Sequence, residues 1–446
     1  MSTMDTPLDA GTPSLEEIHG SVPTPPATAG FWRNWRAFAG PALLVSVGYM
    51  DPGNWGTDLQ AGAQYRYALL WVVGLSSLMA IVMQVCAARL GVVTGKDLAQ
   101  ACRDFYPAWT RWPNWLACET AIAACDLAEV LGGAVALNLL FGIPLFYAVI
   151  LTAFDVLVLL SLRGLGVRTI ESVILVLVST IGAVYFLEIF VLPATRPDFA
   201  EMGRGLVTPV LPDWDAVALA VGIVGATVMP HNLYLHSALV QSRRVGRDEA
   251  SIRTALRYNT LDSVFALTLA FFVNAAILVL AAVVFADRTA FPDNTDWIQE
   301  AYRTLTPAMG TAAASVLFGV ALLASGQSST ITGTMAGQVV MEGFMHWRLR
   351  PWLRRLVTRL VAVVPAVVVI GLHGAESVND LLVLSQIVLA FQLPFAMIPL
   401  LQFTSSRRRM GRFANGRFLL AAGWGTCLLI TALDVWLVWG EVFKAP

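Results

Sequence analysis

The feature that most limits this chain is the recurrence of long apolar segments along nearly its whole length. A helix crossing a hydrocarbon core needs about 20 mostly apolar residues. Eleven segments qualify: 38–63, 67–88, 114–141, 145–162, 169–192, 214–240, 261–286, 307–342, 353–372, 379–404 and 417–440. Tyr67–Ala88 and Ala308–Met341 carry no charge, and the second is long enough that it must tilt, kink or run beyond the bilayer. Only 13% of residues are charged, against about 25% in a soluble domain, so lipid is the solvent for most of the chain. The sequence therefore predicts an all-α, multi-pass membrane protein with the bilayer as its surroundings.

Other classes fall away quickly. A net charge of -1 supplies no basic field for nucleic acid, and nothing calls for an obligate protein partner. Cys86, Cys102, Cys118, Cys125 and Cys427 lack CxxC spacing and read as small core residues. Residues 1–30 are rich in Pro, Thr, Ser and Gly, without the basic-then-apolar order of a signal peptide, and read as a retained, disordered cytoplasmic tail.

With the N-terminus inside, the alternate loops collect the cations expected of cytoplasmic loops. These are Arg33 and Arg36; Arg89, Lys96, Arg103 and Arg111; Arg163 and Arg168; the run Arg243–Arg257; the run Arg348–Arg359; and the run Arg407–Arg417. Only Arg66, Arg196, Arg204, Arg288, Arg303 and Lys444 fall outside. A wrong number of spans would scramble this alternation. The reading is a multi-pass cell-membrane protein with a cytoplasmic N-terminus and an extracellular C-terminus.

Two spans are interrupted. The first contains Gly48-Tyr49-Met50-Asp51-Pro52-Gly53-Asn54 and the sixth Ala226-Thr227-Val228-Met229-Pro230-His231-Asn232. Proline removes a backbone donor and obstructs the carbonyl four residues back, so both helices are expected to unwind there. Unwound backbone at membrane depth persists only where it lines a cavity or is buried in protein. The breaks align as Asp-Pro-Gly-Asn against Met-Pro-His-Asn, each in the first helix of a five-span set. Paired interruptions of this kind point to a transporter site between inverted repeats.

Asp51 is the decisive residue, because an aspartate near the bilayer centre costs about 2.5–3.5 kcal/mol on insertion scales. Helix-end amides can hold such a carboxylate while it also binds an ion. In span three, Glu119, Asp126 and Glu129 share roughly one face, an acidic stripe suited either to proton movement or to interhelical salt bridges, with Arg354 and Arg355 as candidate counter-charges. His231 and His236 are candidate proton relays, although a packed, hydrogen-bonded histidine is the commoner case. Gln386 in span ten either completes a cation site or bonds a neighbouring helix.

Asp51 and Asn54 offer oxygen, the freed carbonyls near Gly48 and Ala226 offer two more, and Met229 offers sulfur. Mg²⁺ and Ca²⁺ prefer all-oxygen shells, whereas later first-row divalents accept a soft donor. This mixed set favours Mn²⁺ or Fe²⁺ as cargo. Methionine is ordinarily a flexible filler, but Met229 stands directly in the break.

These residues resemble the Nramp family, the natural resistance-associated macrophage proteins, especially its bacterial proton-coupled manganese transporters. The likeness runs from about residue 38 and rests on Asp51-Pro52-Gly53-Asn54, Met229-Pro230-His231 and Asp126-Leu127-Ala128-Glu129. It implies a LeuT-like fold, with repeats over 31–205 and 206–405, and a basic loop and eleventh helix over 406–446. It also implies metal binding by Asp51, Asn54, Met229 and Gln386 with the Gly48 and Ala226 carbonyls. Proton movement would use Asp51, His231, Asp126 and Glu129 with Glu119, Arg354 and Arg355. Trp55 departs from the Phe or Tyr expected after the quartet, and Gly48 from the usual Ala.

No GxxxxGK[ST] pattern for direct nucleotide drive is found, and no resident cofactor is implied. A sodium-coupled symporter of a small organic solute on the same fold is the rival within transport. A metal-dependent intramembrane hydrolase would need ligands such as HExxH; His231 and His236 are five apart with no glutamate beside them.

Overall fold

A computed structural model describes residues 19–155, 167–187, 197–285, 297–301, 303, 312–347, 351–373 and 377–443. Among these, nine helices are long and apolar enough to cross a membrane. The first expected span is divided: α1 (Phe31–Phe38) leads into α2 (Pro41–Ser46), a single tight turn over Gly48–Met50, then α3 (Pro52–Tyr65). Neither half spans a bilayer by itself. α4 (Leu70–Thr94), the short α5 (Leu98–Phe105) and α6 (Arg111–Phe141) follow. Next come α7 (Leu145–Thr152), α8 (Val167–Phe186) and α9 (Phe199–Val207). The fourth expected span, 145–162, is described only as far as Asp155.

The second half repeats the plan. α10 (Trp214–Val228) and α11 (Pro230–Leu239) form a broken pair, followed by α12 (Glu249–Val284), α13 (Ala312–Met345), α14 (Pro351–His373) and α15 (Ser377–Ser405). The short α16 (Arg407–Met410) then leads to α17 (Arg417–Phe443). Asp213 and Asp248 cap α10 and α12 by accepting the Ala216 and Ser251 amides, each at 2.9 Å. α12 starts at Glu249 rather than at 261 because its charged first turns stand ahead of the apolar stretch. Inside the bundle α6 lies along α13, α3 along α12 and α10 along α15. One continuous apolar core links them.

Two expectations need correction. Residues 19–30 were assigned to the disordered tail, yet Val22–Pro23 pairs in parallel with Arg243–Arg244. Gly20 donates to the Gln241 carbonyl at 2.9 Å, and Thr24 to that of Arg244 at 2.6 Å. Composition says nothing of such backbone bonds to a distant loop; residues 1–18 lie outside the description. Arg354, Arg355 and Arg359 were counted as loop cations, but all three are buried along α14 and paired within the bundle. They contribute to internal charge balance rather than to the loop bias. Arg163, Arg196, Arg288, Arg348, Arg350 and Lys444 lie outside the described residues.

Candidate functional site

Both breaks follow from their prolines. Pro52 and Pro230 lack the N–H that would satisfy the carbonyl four residues back, and those carbonyls belong to Gly48 and Ala226. Gly48 O receives only a long bond, 3.3 Å, from the Asp51 amide. The next two carbonyls are met from other helices: Tyr49 O by Asn274 Nδ2 of α12 at 2.8 Å, and Met50 O by Ser325 Oγ of α13 at 2.5 Å. At the second break Met229 adopts φ +37°, a left-handed backbone that a β-substituted residue takes only under constraint.

Asp51 caps α3, its Oδ1 accepting the Asn54 amide at 2.9 Å. The helix-end dipole favours the carboxylate there. Its Oδ2 lies 3.9 Å from Cys125 Sγ of α6, and Cys125 in turn packs in one apolar cluster with Met229. Met229 Sδ accepts Asn232 Nδ2 at 3.3 Å, and a β-carbon on Gly48 would sit 3.2 Å from that sulfur. Gly53 admits the Gln386 amide into the volume its own side chain would fill, so α15 meets the first break there. Asn54 Oδ1 and Gln386 Oε1 are buried without a hydrogen-bond partner among the described residues. Two orphan oxygens thus stand in the same region as a buried carboxylate and a sulfur, and unpaired buried acceptors cost about 1–3 kcal/mol each. The described residues contain no group of three His, Cys, Asp or Glu arranged for a metal, so the donor set is a mixed one.

The acidic stripe sits on the far side of Cys125, whose sulfur is also 3.9 Å from Glu129 Oε1. Glu129 accepts Ser329 Oγ at 2.8 Å, Thr330 Oγ1 at 3.1 Å and Arg355 Nη2 at 2.6 Å. Arg355 also pairs with Asp126, and Arg359 lies 3.6 Å from Glu129 while donating to the Asp126 carbonyl at 3.1 Å. Nearer the start of α6, Arg354 grips both Glu119 oxygens at 2.8 and 2.9 Å. Each acid thus has a cation, which buried charge requires. His231 is buried in the first turn of α11, its Nδ1 without a hydrogen-bond partner among the described residues, and His236 Nδ1 stands 2.9 Å from Gln84 Oε1. Gln84 also donates to the Tyr49 hydroxyl at 2.5 Å, so His236 connects to the first break rather than to the acids.

Asp51, Asn54, Met229, His231 and Gln386 are all 2% exposed or less, so the site is closed off from solvent. Tyr49, Gln84 and His236 form a buried, hydrogen-bonded group beside the first break. Trp55, directly after the quartet, is buried against Tyr185 and Phe318, with ring centroids at 5.4 and 5.1 Å.

Helices broken in pairs around a closed polar centre define a multi-pass membrane transporter built from two inverted five-helix repeats plus an eleventh helix. The natural resistance-associated macrophage protein-like family model matches residues 42–440, and the chain belongs to that family. It is 49% identical over 440 residues to a divalent metal cation transporter MntH of Nostoc sp., covering 97% of this chain and 98% of the relative. A protein of the same description from Ralstonia nicotianae is 50% identical, covering 95% of each. A manganese transporter of Eremococcus coleocola superposes with a TM-score of 0.87 at 39% identity, over 97% of this chain and 93% of that one. Mhp1, a nucleobase-cation-symport-1 transporter, superposes at 0.60 with 15% identity over 91% and 94%, a likeness of LeuT-like fold alone.

Proposed function

We propose that the protein imports divalent transition-metal ions, Mn²⁺ and Fe²⁺, together with protons, by alternating access around Asp51, Asn54, Met229 and Gln386. The observation that carries this reading is the convergence of a buried carboxylate, a thioether and two unpartnered amide oxygens where both helices break. The names of the relatives as divalent metal cation and manganese transporters support it independently. Asp51 supplies the charge, Asn54 and Gln386 neutral oxygens, and the Gly48 and Ala226 carbonyls complete the shell. Met229 disfavours hard alkaline-earth ions.

Protons would pass from Asp51 toward Glu129 and Asp126, with Cys125 between them and Arg355 holding the acids. His231, Glu119, Arg354 and His236 are assigned supporting places. The cytoplasmic N-terminus, which rests on the loop cations, belongs to this proposal, and the membrane potential favours cation entry by about 2.3 kcal/mol per charge per 100 mV. The test is Mn²⁺ uptake into proteoliposomes carrying a trapped pH dye. The reading predicts internal acidification that requires Mn²⁺, whereas solute-dependent sodium current without any divalent movement would replace it by the organic-solute symporter.

A further inference from the structure

We propose that the cleft between α1 and α12 binds an anionic phospholipid, with its phosphate on Arg257 and an acyl chain along α12 toward Phe272. This site is independent of which ion the protein carries. The cleft has a volume of about 670 Å³, within the range of about 300–1,000 Å³ typical of ligand sites. Phe31 and Trp35 of α1 form one wall and Leu261, Phe265 and Phe272 of α12 the other. The α12 residues recur at helical spacing from Arg257, so one face carries a cation at its start and apolar groups beyond. From Arg257 to Phe272 is about 22 Å along the helix, the depth of one leaflet with its headgroup region.

Charge settles which lipid fits. Arg257 is exposed and has no ion pair among the described residues, its guanidinium lying 5.9 Å from the Tyr258 ring centre. Its neighbour Arg253, one turn earlier, is paired with Glu249 at 2.7 Å, and Arg243 with Glu171 at 2.8 Å. Among the cleft-lining residues Arg257 is the cation. A concave apolar face that ends in a cation with no ion pair suits a lipid with an acidic headgroup better than a neutral one. α1 itself is amphipathic, with Trp32 73% exposed, and it is held to α12 by ring contacts, Phe31 to Tyr258 at 5.7 Å and Trp35 to Phe265 at 5.9 Å.

The site has a route to transport. α1 continues through Ala39 and Gly40 into α2, the first half of the broken span. The Gly40 and Ala42 amides donate to Asp262 of α12 at 3.2 and 2.9 Å. A lipid bridging α1 and α12 therefore fastens the start of the first half of the broken span, which leads through Gly48–Met50 to Asp51.

The experiment uses the full chain in nanodiscs of phosphatidylcholine, with or without phosphatidylglycerol, reading Tm and the lipids retained in native mass spectra. Phosphatidylglycerol is expected to raise Tm and to be retained, R257Q to lose most of both effects, R257K to keep part, and R253Q to behave as the unsubstituted protein. Glycerol phosphate added to phosphatidylcholine discs should reproduce neither, which separates a bound lipid from a free phosphate. Equal losses in R257Q and R253Q, a Tm indifferent to phosphatidylglycerol, or full reproduction by glycerol phosphate would each overturn the assignment.

Discussion

At the first break Pro52 frees the Gly48 carbonyl and Asp51 brings a charged, hard oxygen; at the second Pro230 frees the Ala226 carbonyl and Met229 brings a neutral, soft sulfur. The backbone device is the same, and the side chains have opposite chemistry. Their surroundings differ in the same sense. The first break is braced from three helices, by Asn274, Ser325 and the Gln386 amide packed on Gly53. The second is braced by its own Asn232, by a long bond from the Tyr49 hydroxyl to the Val228 carbonyl at 3.5 Å and by Gly225 packed on α15, and it carries its strain in the Met229 backbone. In the proposed function, then, the first break supplies affinity and charge, and the second supplies discrimination.

The comparison breaks most readily at Asp51. Asp51→Asn keeps the shape and the cap while removing the charge, and Mn²⁺ uptake should fall to the level of empty vesicles; uptake near the native rate would refute a charge-supplying role. Gly53→Ala places a methyl group where the Gln386 amide lies, so Mn²⁺ affinity in a calorimetric titration should be severely reduced. The alanine counterpart at the second break, Asn232→Ala, should cost much less.

Arg355→Ala leaves Asp126 and Glu129 short of a buried cation and should lower stability by about 3–5 kcal/mol in denaturant unfolding. An unchanged midpoint would mean that Arg359 alone balances the acids. The smallest effect is expected from Tyr49→Phe, which removes the hydroxyl between Gln84 and the first break and should cost about 1 kcal/mol. Its readout is faster labelling of a cysteine placed beside Gln84 and His236, since that packing is weakened.

Both breaks were legible in the sequence because a proline among polar residues inside an apolar run is a local signal. The acid face of α6 was legible for a similar reason: spacings of three and seven place residues on one side of any helix. Arg354 and Arg355 were identified as counter-charges, but Arg359 was counted with the loop, because hydropathy alone does not tell a buried, paired guanidinium from a solvated one. Cys125 read as core filler, and its position between Asp51 and Glu129 exists only once α6 packs against the first break. Gln84, Asn274 and Ser325 gave no signal at all. Single polar residues in apolar spans have no periodicity of their own, and their importance comes from which carbonyl or hydroxyl tertiary packing sets before them.

The most direct test of this division of labour is Mn²⁺ uptake into proteoliposomes with and without a large excess of Ca²⁺ and Mg²⁺, for the native protein and for Met229→Ala. The account predicts native uptake that resists competition and a variant that still transports Mn²⁺ but loses roughly tenfold in discrimination, equivalent to about 1.4 kcal/mol. Native uptake abolished by Mg²⁺, or a variant as selective as the native protein, would contradict it.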